Sequence, residues 1–519
     1  MLCALVLLSS IGVTGSVIGE ENEEELDIDD YLFLETGTRV TDDEWDQGDY
    51  VAINMTKNGA LSWFGVIYGT EEDPNGILIF CAYVRFLGAA EVYETNGNFL
   101  GRYPIPIVTV FGQRLAVLFE YKDDGRFTTP IPGTWEEHPE YADNGVFDFV
   151  KREDDPGLWA ISDQHETVTK AINLARAWSR SQVVETSDPE DSTSKSWEFS
   201  VWADNVEYGI ENENGEVILD DPGNKLERLE FTFHITANVE EIDIKGVPWY
   251  KIKVDSGNHE SVIDSDYMTS KDYIGVSVLA DFKFDHLLKG WDYSGGDGTV
   301  LINHAFFANA IPDKVEEWLD EQFIKNIKGG GKAEYDALDP TQEDVEMTVM
   351  SNGTDNDDAD NDGILDPKLV TKDMIMFKDN WQKIGELTWV SDAEVDGEEK
   401  NITYQVHGGQ SFQEDNVDDK DFSLTGFIIQ GGYIYPAGQN IYHDPSLAAI
   451  ALLFEIGYGI NLLPGSIVGG QLVLALIAAV VVGVAVSVRK RKEKRMYPPG
   501  FSVHVEGNQL PPQPPLIPP

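Results

Sequence analysis

Asp358, Asp360, Asp362 and Asp366 have the type and spacing best suited to one chemistry, the capture of a hard divalent cation. They lie in the run Asp358-Ala359-Asp360-Asn361-Asp362-Gly363-Ile364-Leu365-Asp366, with carboxylates at alternate positions and a glycine where a sharp turn is needed. Calcium takes six to eight oxygens at once, so closely spaced carboxylates on a turning backbone make a natural donor set. The plainer reading is a solvated acidic linker, because aspartate is abundant throughout the chain.

An EF-hand loop begun at Asp358 would need Glu at its twelfth position, where Leu369 stands, and Pro367 would disrupt an exiting helix. The run instead resembles the calcium repeat of thrombospondin type 3 modules, which also occurs singly in bacterial and archaeal surface proteins. The resemblance covers residues 358–366 and nothing else in the chain. It implies calcium as the bound ion, with side-chain ligands at Asp358, Asp360, Asp362 and Asp366 and the carbonyl of Ile364 between them.

Other chemistries leave weaker traces. The sequence holds no His-Glu-x-x-His, Gly-x-Ser-x-Gly or Cys-x-x-Cys motif and no phosphate loop. Asp292 and Asp297 flank Gly295-Gly296 and could form a polar loop site. His234 and His407 sit on strand-like faces, where histidine is more often structural than a ligand. Trp197, Trp202, Trp249 and Trp291 could stack on sugars, although filling a sandwich core is the simpler role. A carboxylate pair for glycoside hydrolysis is defined by separation in space, so sequence alone does not reveal one. The acceptor sequons at Asn54, Asn352 and Asn401 permit glycosylation without implying it.

The strongest element signal is Ile467–Val488, a stretch without formal charge followed at once by Arg489, Lys490, Arg491, Lys492, Glu493, Lys494 and Arg495. As a helix it would reach roughly 33 Å, enough to cross a hydrocarbon core. The basic flank marks the cytoplasmic side. Residues 489–519 then form a basic, Pro-rich inner tail. Leu2–Val13 is apolar but too short to span. With the small residues after it, it reads as a secretory signal over residues 1–19, though no Lys or Arg precedes it. Ala475, Ala479, Gly483 and Ser487 form a small-residue stripe along the anchor that would suit homo-association. The ordinary alanine content of membrane helices is the simpler explanation.

Composition narrows the partners. There are 92 acidic and 37 basic residues, a formal charge of −55, and the inner tail holds six of the basic ones. Such a surface repels nucleic acid and excludes it as a partner. The lipid bilayer, through the C-terminal helix, is the partner the sequence does imply. Aromatic residues are too plentiful for a disordered acidic chain. With Cys3 inside the signal, Cys81 would remain alone, so no intrachain disulfide is expected. An exported chain of this size without one points to a prokaryotic surface.

Asn-Gly and Asp-Gly pairs recur between β-branched and aromatic runs, as tight hairpins require. The expected fold is mainly β, with antiparallel β-sandwich ectodomain units, few helices and one C-terminal transmembrane helix. Pro312–Lys325 is the better soluble helix candidate and His165–Arg180 the weaker. Leu447–Leu463 reads as a buried strand or juxtamembrane segment. The expected division is a β-rich domain at 20–184, a second sandwich at 185–327, and a Gly/Asp-rich linker at 328–367. A third β-rich segment follows at 368–463. Together these describe a single-pass cell-surface protein with a structural, adhesion or binding role. An anchored envelope hydrolase acting on glycans or peptides is the alternative, and the missing catalytic motifs weigh against it.

Overall fold

In Leu229–Ile235 the apolar residues Leu229, Phe231, Phe233 and Ile235 share one face, while Glu230, Thr232 and His234 share the other. The structure buries the first set completely and leaves the second half-buried. Each large apolar side chain buried in this way contributes about 1.5–3 kcal/mol. This period-two logic runs through the computed structural model. The model describes residues 28, 32–39, 48–57, 60–128, 135–137, 147, 166–211, 217–255, 262–312, 331–335, 347–350, 368–370, 374–379, 382–414 and 422–453.

The principal strands begin with β1 (Leu32–Arg39), β2 (Gly48–Lys57), β3 (Ala60–Tyr68), β4 (Ile77–Glu94), β5 (Phe99–Lys122) and β6 (Thr167–Asn173). Next come β7 (Ser194–Glu207), β8 (Lys225–Val254), β9 (Val262–Lys289), β10 (Gly298–Pro312) and β11 (Met374–Asp379). The last are β12 (Gln382–Thr388), β13 (Thr403–Glu414), β14 (Phe422–Pro436), β15 (Asn440–His443) and β16 (Ser446–Leu453). The described residues are mainly β, paired in antiparallel sheets, and contain no α-helix.

One layer runs β1–β2–β3–β4–β5–β10–β14–β13 with antiparallel neighbours. β6 lies beyond the start of β4, along the last residues of β5. The second layer runs β7–β8–β9, then β16 and β15 end to end beside β9, then β12 and β11. Aromatic rings meet between the layers in a sandwich-like manner: Phe64 with Phe282 at 6.4 Å, Phe111 with Phe377 at 5.5 Å, and Trp389 with Tyr404 at 4.3 Å. The layers are also joined edge to edge, where Trp249–Val254 of β8 runs parallel to Ala89–Glu94 of β4. β10 is buried at every position from Thr299 to Ile311, so both of its faces are covered.

Several expectations change. Thr167–Asn173, inside the weaker helix candidate, is a strand, because its β-branched residues find an open stretch of β5 to pair with. Pro312 ends β10 instead of starting a helix; residues 313–325 lie outside the described residues. Residues 185–196, whose Asp, Ser, Thr and Pro content reads as a linker between two β units, join the strand Val184–Glu185 to β7, and these two strands pair antiparallel. Ser446–Leu453 is a strand, within the stretch read as a final buried strand or juxtamembrane segment. The signal at 1–19, the cation motif at 358–366, the anchor at 467–488 and the tail all lie outside the described residues. Among the described residues, no helix is long and apolar enough to cross a membrane.

Candidate functional site

The polar loop around Gly295-Gly296 folds back onto β5, and Glu120 is the reason. Glu120 is fully buried, and its carboxylate accepts three N–H donors. Oε2 takes the indole Nε1–H of Trp291 at 3.0 Å, and Oε1 takes the backbone N–H groups of Ser294 and Gly296, each at 2.9 Å. A buried carboxylate is tolerable only when its lone pairs are met in this way. Gly296 must be glycine for this approach, since a Cβ there would lie 2.4 Å from Glu120 Cγ. Gly295, at φ +92°, supplies the left-handed turn.

Opposite Glu120 in the ladder stands Lys170 of β6, only 1% exposed. Its Nζ lies 2.6 Å from Oδ2 of Asp221 and 3.6 Å from Oδ2 of Asp292, and it donates to the Asp292 carbonyl. The Tyr208 ring lies 4.9 Å from the same nitrogen and meets Trp291 edge-on, with centroids 5.2 Å apart. The hydrogen bond from Lys170 holds the Asp221 carboxyl below its usual range. Burial pushes the Tyr208 phenol up to about 12. Asp292 and Asp297 do not converge. Asp292 turns to Lys170, while Asp297 accepts the backbone N–H of Asp123 at 2.9 Å and donates its own to the Tyr121 carbonyl at 2.8 Å.

Two further constellations hold histidines. Inside the sandwich, the Tyr435 hydroxyl lies 3.1 Å from Nδ1 of His286 and 3.1 Å from Nδ1 of His443, and His443 Nε2 lies 2.8 Å from the Val390 carbonyl. On the outer face, His234 has Glu198 Oε2 at 3.1 Å from Nδ1 and Asp285 Oδ2 at 3.1 Å from Nε2, and the Tyr442 hydroxyl donates to that Asp285 oxygen at 2.6 Å. Because the carboxylates flank opposite ring nitrogens, the three groups do not point at one cation. Among the described residues, no cluster of three or more His, Cys, Asp or Glu suits a metal ion.

No family model matches the chain, and no curated protein is similar to it.

Asp358, Asp360, Asp362, Ile364 and Asp366 lie outside the described residues. Trp197, Trp249 and Trp291 are buried, and half-buried Trp202 lies under the Arg228 guanidinium at 4.8 Å. Cys81 is a core residue of β4, and burial pushes its thiol well up, away from reactivity. His407 falls at a register shift between Val406 and Gly408. Glu120, Lys170, His286 and His443 escaped the sequence reading. Lys170 did leave a signal, as a lysine at the inward position of the alternating run Val168, Lys170, Ile172.

Proposed function

We propose that this chain is a single-pass cell-surface protein whose sandwich-like β ectodomain serves a structural, adhesion or binding role outside the membrane. The observation that carries this reading is Ile467–Val488, uncharged over a membrane's thickness and closed on one side by a dense basic cluster. The strongly acidic composition upstream suits an exposed, hydrated surface. Further support comes from how the described acidic side chains are used. Glu120 pins the loop at 291–296, Asp297 pins the end of β5, and Asp396 accepts the N–H groups of Gln439 and Asn440 at 3.1 and 2.8 Å. These are the bonds of a rigid display framework. Calcium at residues 358–366 would stiffen the segment between β10 and β11 in the same way.

Proteolysis of intact cells tests the orientation. A protease added outside should digest the bulk of the chain and spare a fragment carrying the residues after 488, detected with an antibody to the C-terminus. A chain that survives intact until the cells are lysed would overturn the reading.

A further inference from the structure

We propose that Lys170 and Asp221 become joined by a side-chain amide bond that the folded protein forms by itself. Among the described residues, Lys170 is the one lysine in the buried set, and its Nζ is 2.6 Å from a carboxylate oxygen of Asp221. A lysine and an aspartate held at this range, with the lysine nitrogen against the Tyr208 ring and that ring braced by Trp291, are an amine nucleophile and an acyl acceptor already in contact.

The reaction needs no partner. In the ion pair the proton moves from Nζ to Oδ2, leaving a neutral amine and a neutral carboxylic acid. In water that transfer is opposed by a difference of about six pK units between lysine and aspartate. The hydrogen bond from Lys170 favours the Asp221 carboxylate, so the transfer is an uphill step, and the standing contact at 2.6 Å is what lets it be sampled repeatedly. The amine lone pair then attacks Cγ of Asp221, a C–N bond forms, and a C–O bond breaks. The departing oxygen leaves as water, carrying the proton received from Nζ and a second proton lost by the attacking nitrogen. Ammonium and carboxylate have become amide and water, with no oxidant, reductant or cofactor. The Asp221 side chain is 22% exposed, which gives the water a way out.

Asp221 is the acceptor ahead of Asp292 on two grounds. The Asp292 carboxylate is farther away, at 3.6 Å, and its side chain is 55% exposed. Its carbonyl instead accepts a hydrogen bond from Nζ and helps to hold it. Glu120 is a positioning residue: it fixes Trp291, which packs on Tyr208, whose ring lies over Nζ. The bond would fasten β6 to the turn at 219–224, a junction otherwise made by single backbone bonds such as Ala171 N–H to the Leu219 carbonyl at 3.2 Å. It supplies a covalent tie to a fold whose one described cysteine, Cys81, is buried and unpaired.

Mass spectrometry of the purified full chain decides the matter. Digestion under reducing, denaturing conditions should yield one branched peptide containing both Lys170 and Asp221, lighter by one water than its two parts. The Lys170→Ala and Asp221→Ala chains should yield only separate peptides at full mass. Recovery of the wild-type Lys170 and Asp221 peptides unlinked would overturn the proposal, and that measurement does not depend on any variant folding. A branch to Asp292, or a water loss that persists in both variants, would overturn it equally.

Discussion

His286 and His443 face each other across a single phenol, each with Nδ1 at 3.1 Å from the Tyr435 hydroxyl. The direction of the chain follows from its far end. Burial holds both imidazoles neutral; His443 Nε2 meets a carbonyl, so it must donate, and its Nδ1 must accept the Tyr435 proton. The Tyr435 oxygen then accepts from His286 Nδ1–H. Being neutral with its proton on Nδ1, His286 keeps a lone pair on Nε2 that has no hydrogen-bond partner among the described residues.

Stability should consequently fall on mild acidification. Burial holds His443 down to about 4, outweighing the Val390 carbonyl and the Asp444 and Asp285 carboxylates, which pull the other way. Histidine in the unfolded chain titrates near 6.5, so as pH falls the unfolded state takes the proton first. The contribution is fully present above about 6.5 and is lost progressively as pH drops toward 4, at up to about 1.4 kcal/mol per pH unit. Urea unfolding at pH 7 and pH 5 checks this. In His443→Asn the stability difference between the two pH values should shrink by about 1–2 kcal/mol. An unchanged difference would rule out His443 as the titrating group.

Glu120→Gln should loosen the loop at 291–296. Glutamine offers one acceptor oxygen and turns an NH₂ group toward N–H donors, leaving part of the three-donor set unmet. The expected cost is about 2–4 kcal/mol. Trp291 is fully buried, so its release should shift its fluorescence to the red. A variant with wild-type emission and wild-type unfolding midpoint would mean that Glu120 does not hold the loop.

Two glycines separate backbone strain from steric clash. Asp396 and Gly397 adopt φ of +53° and +81° between the strands Asp392–Val395 and Glu398–Asn401, the geometry of a type I′ hairpin. A Cβ on Gly397 would meet nothing within 4 Å. Gly397→Ala should therefore cost only about 1 kcal/mol, the price of a left-handed backbone. Gly296→Ala drives a methyl group into Glu120 and should cost more, about 2–3 kcal/mol. Equal losses in thermal or urea unfolding would contradict this distinction.

Calcium binding is testable apart from the fold. Isothermal titration of the full chain should reveal a bound calcium that disappears in the double variant Asp360→Ala, Asp362→Ala. Identical heats in the two proteins would remove residues 358–366 as the site.

How much of this was readable beforehand depends on the range of each interaction. Alternation at Leu229–Ile235 and the Asp396-Gly397 turn are local, and both were legible residue by residue. Ile107–Gly112 and Leu115–Tyr121 each carry a local strand pattern, but nothing local shows that they fuse into the single strand β5. The helix expectation for His165–Arg180 gives way to a strand at Thr167–Asn173 because a short apolar run suits either period, and only the free stretch of β5 decides for a strand. The site was far less legible. Glu120 faces Lys170 through a register between distant segments, and Asp221 arrives from a turn later still. Nothing local to these residues encodes that meeting.

The parallel join between β8 and β4 governs the order in which the chain can mature. Residues 89–94 can zip with β5 as soon as both are made, but their other neighbour is synthesised roughly 160 residues later. Through that interval one side of the hairpin presents bare peptide groups to any strand that passes. Whatever escorts this polypeptide must cover that edge in mid-synthesis, and a ribosome that stalls before residue 249 prolongs the exposure.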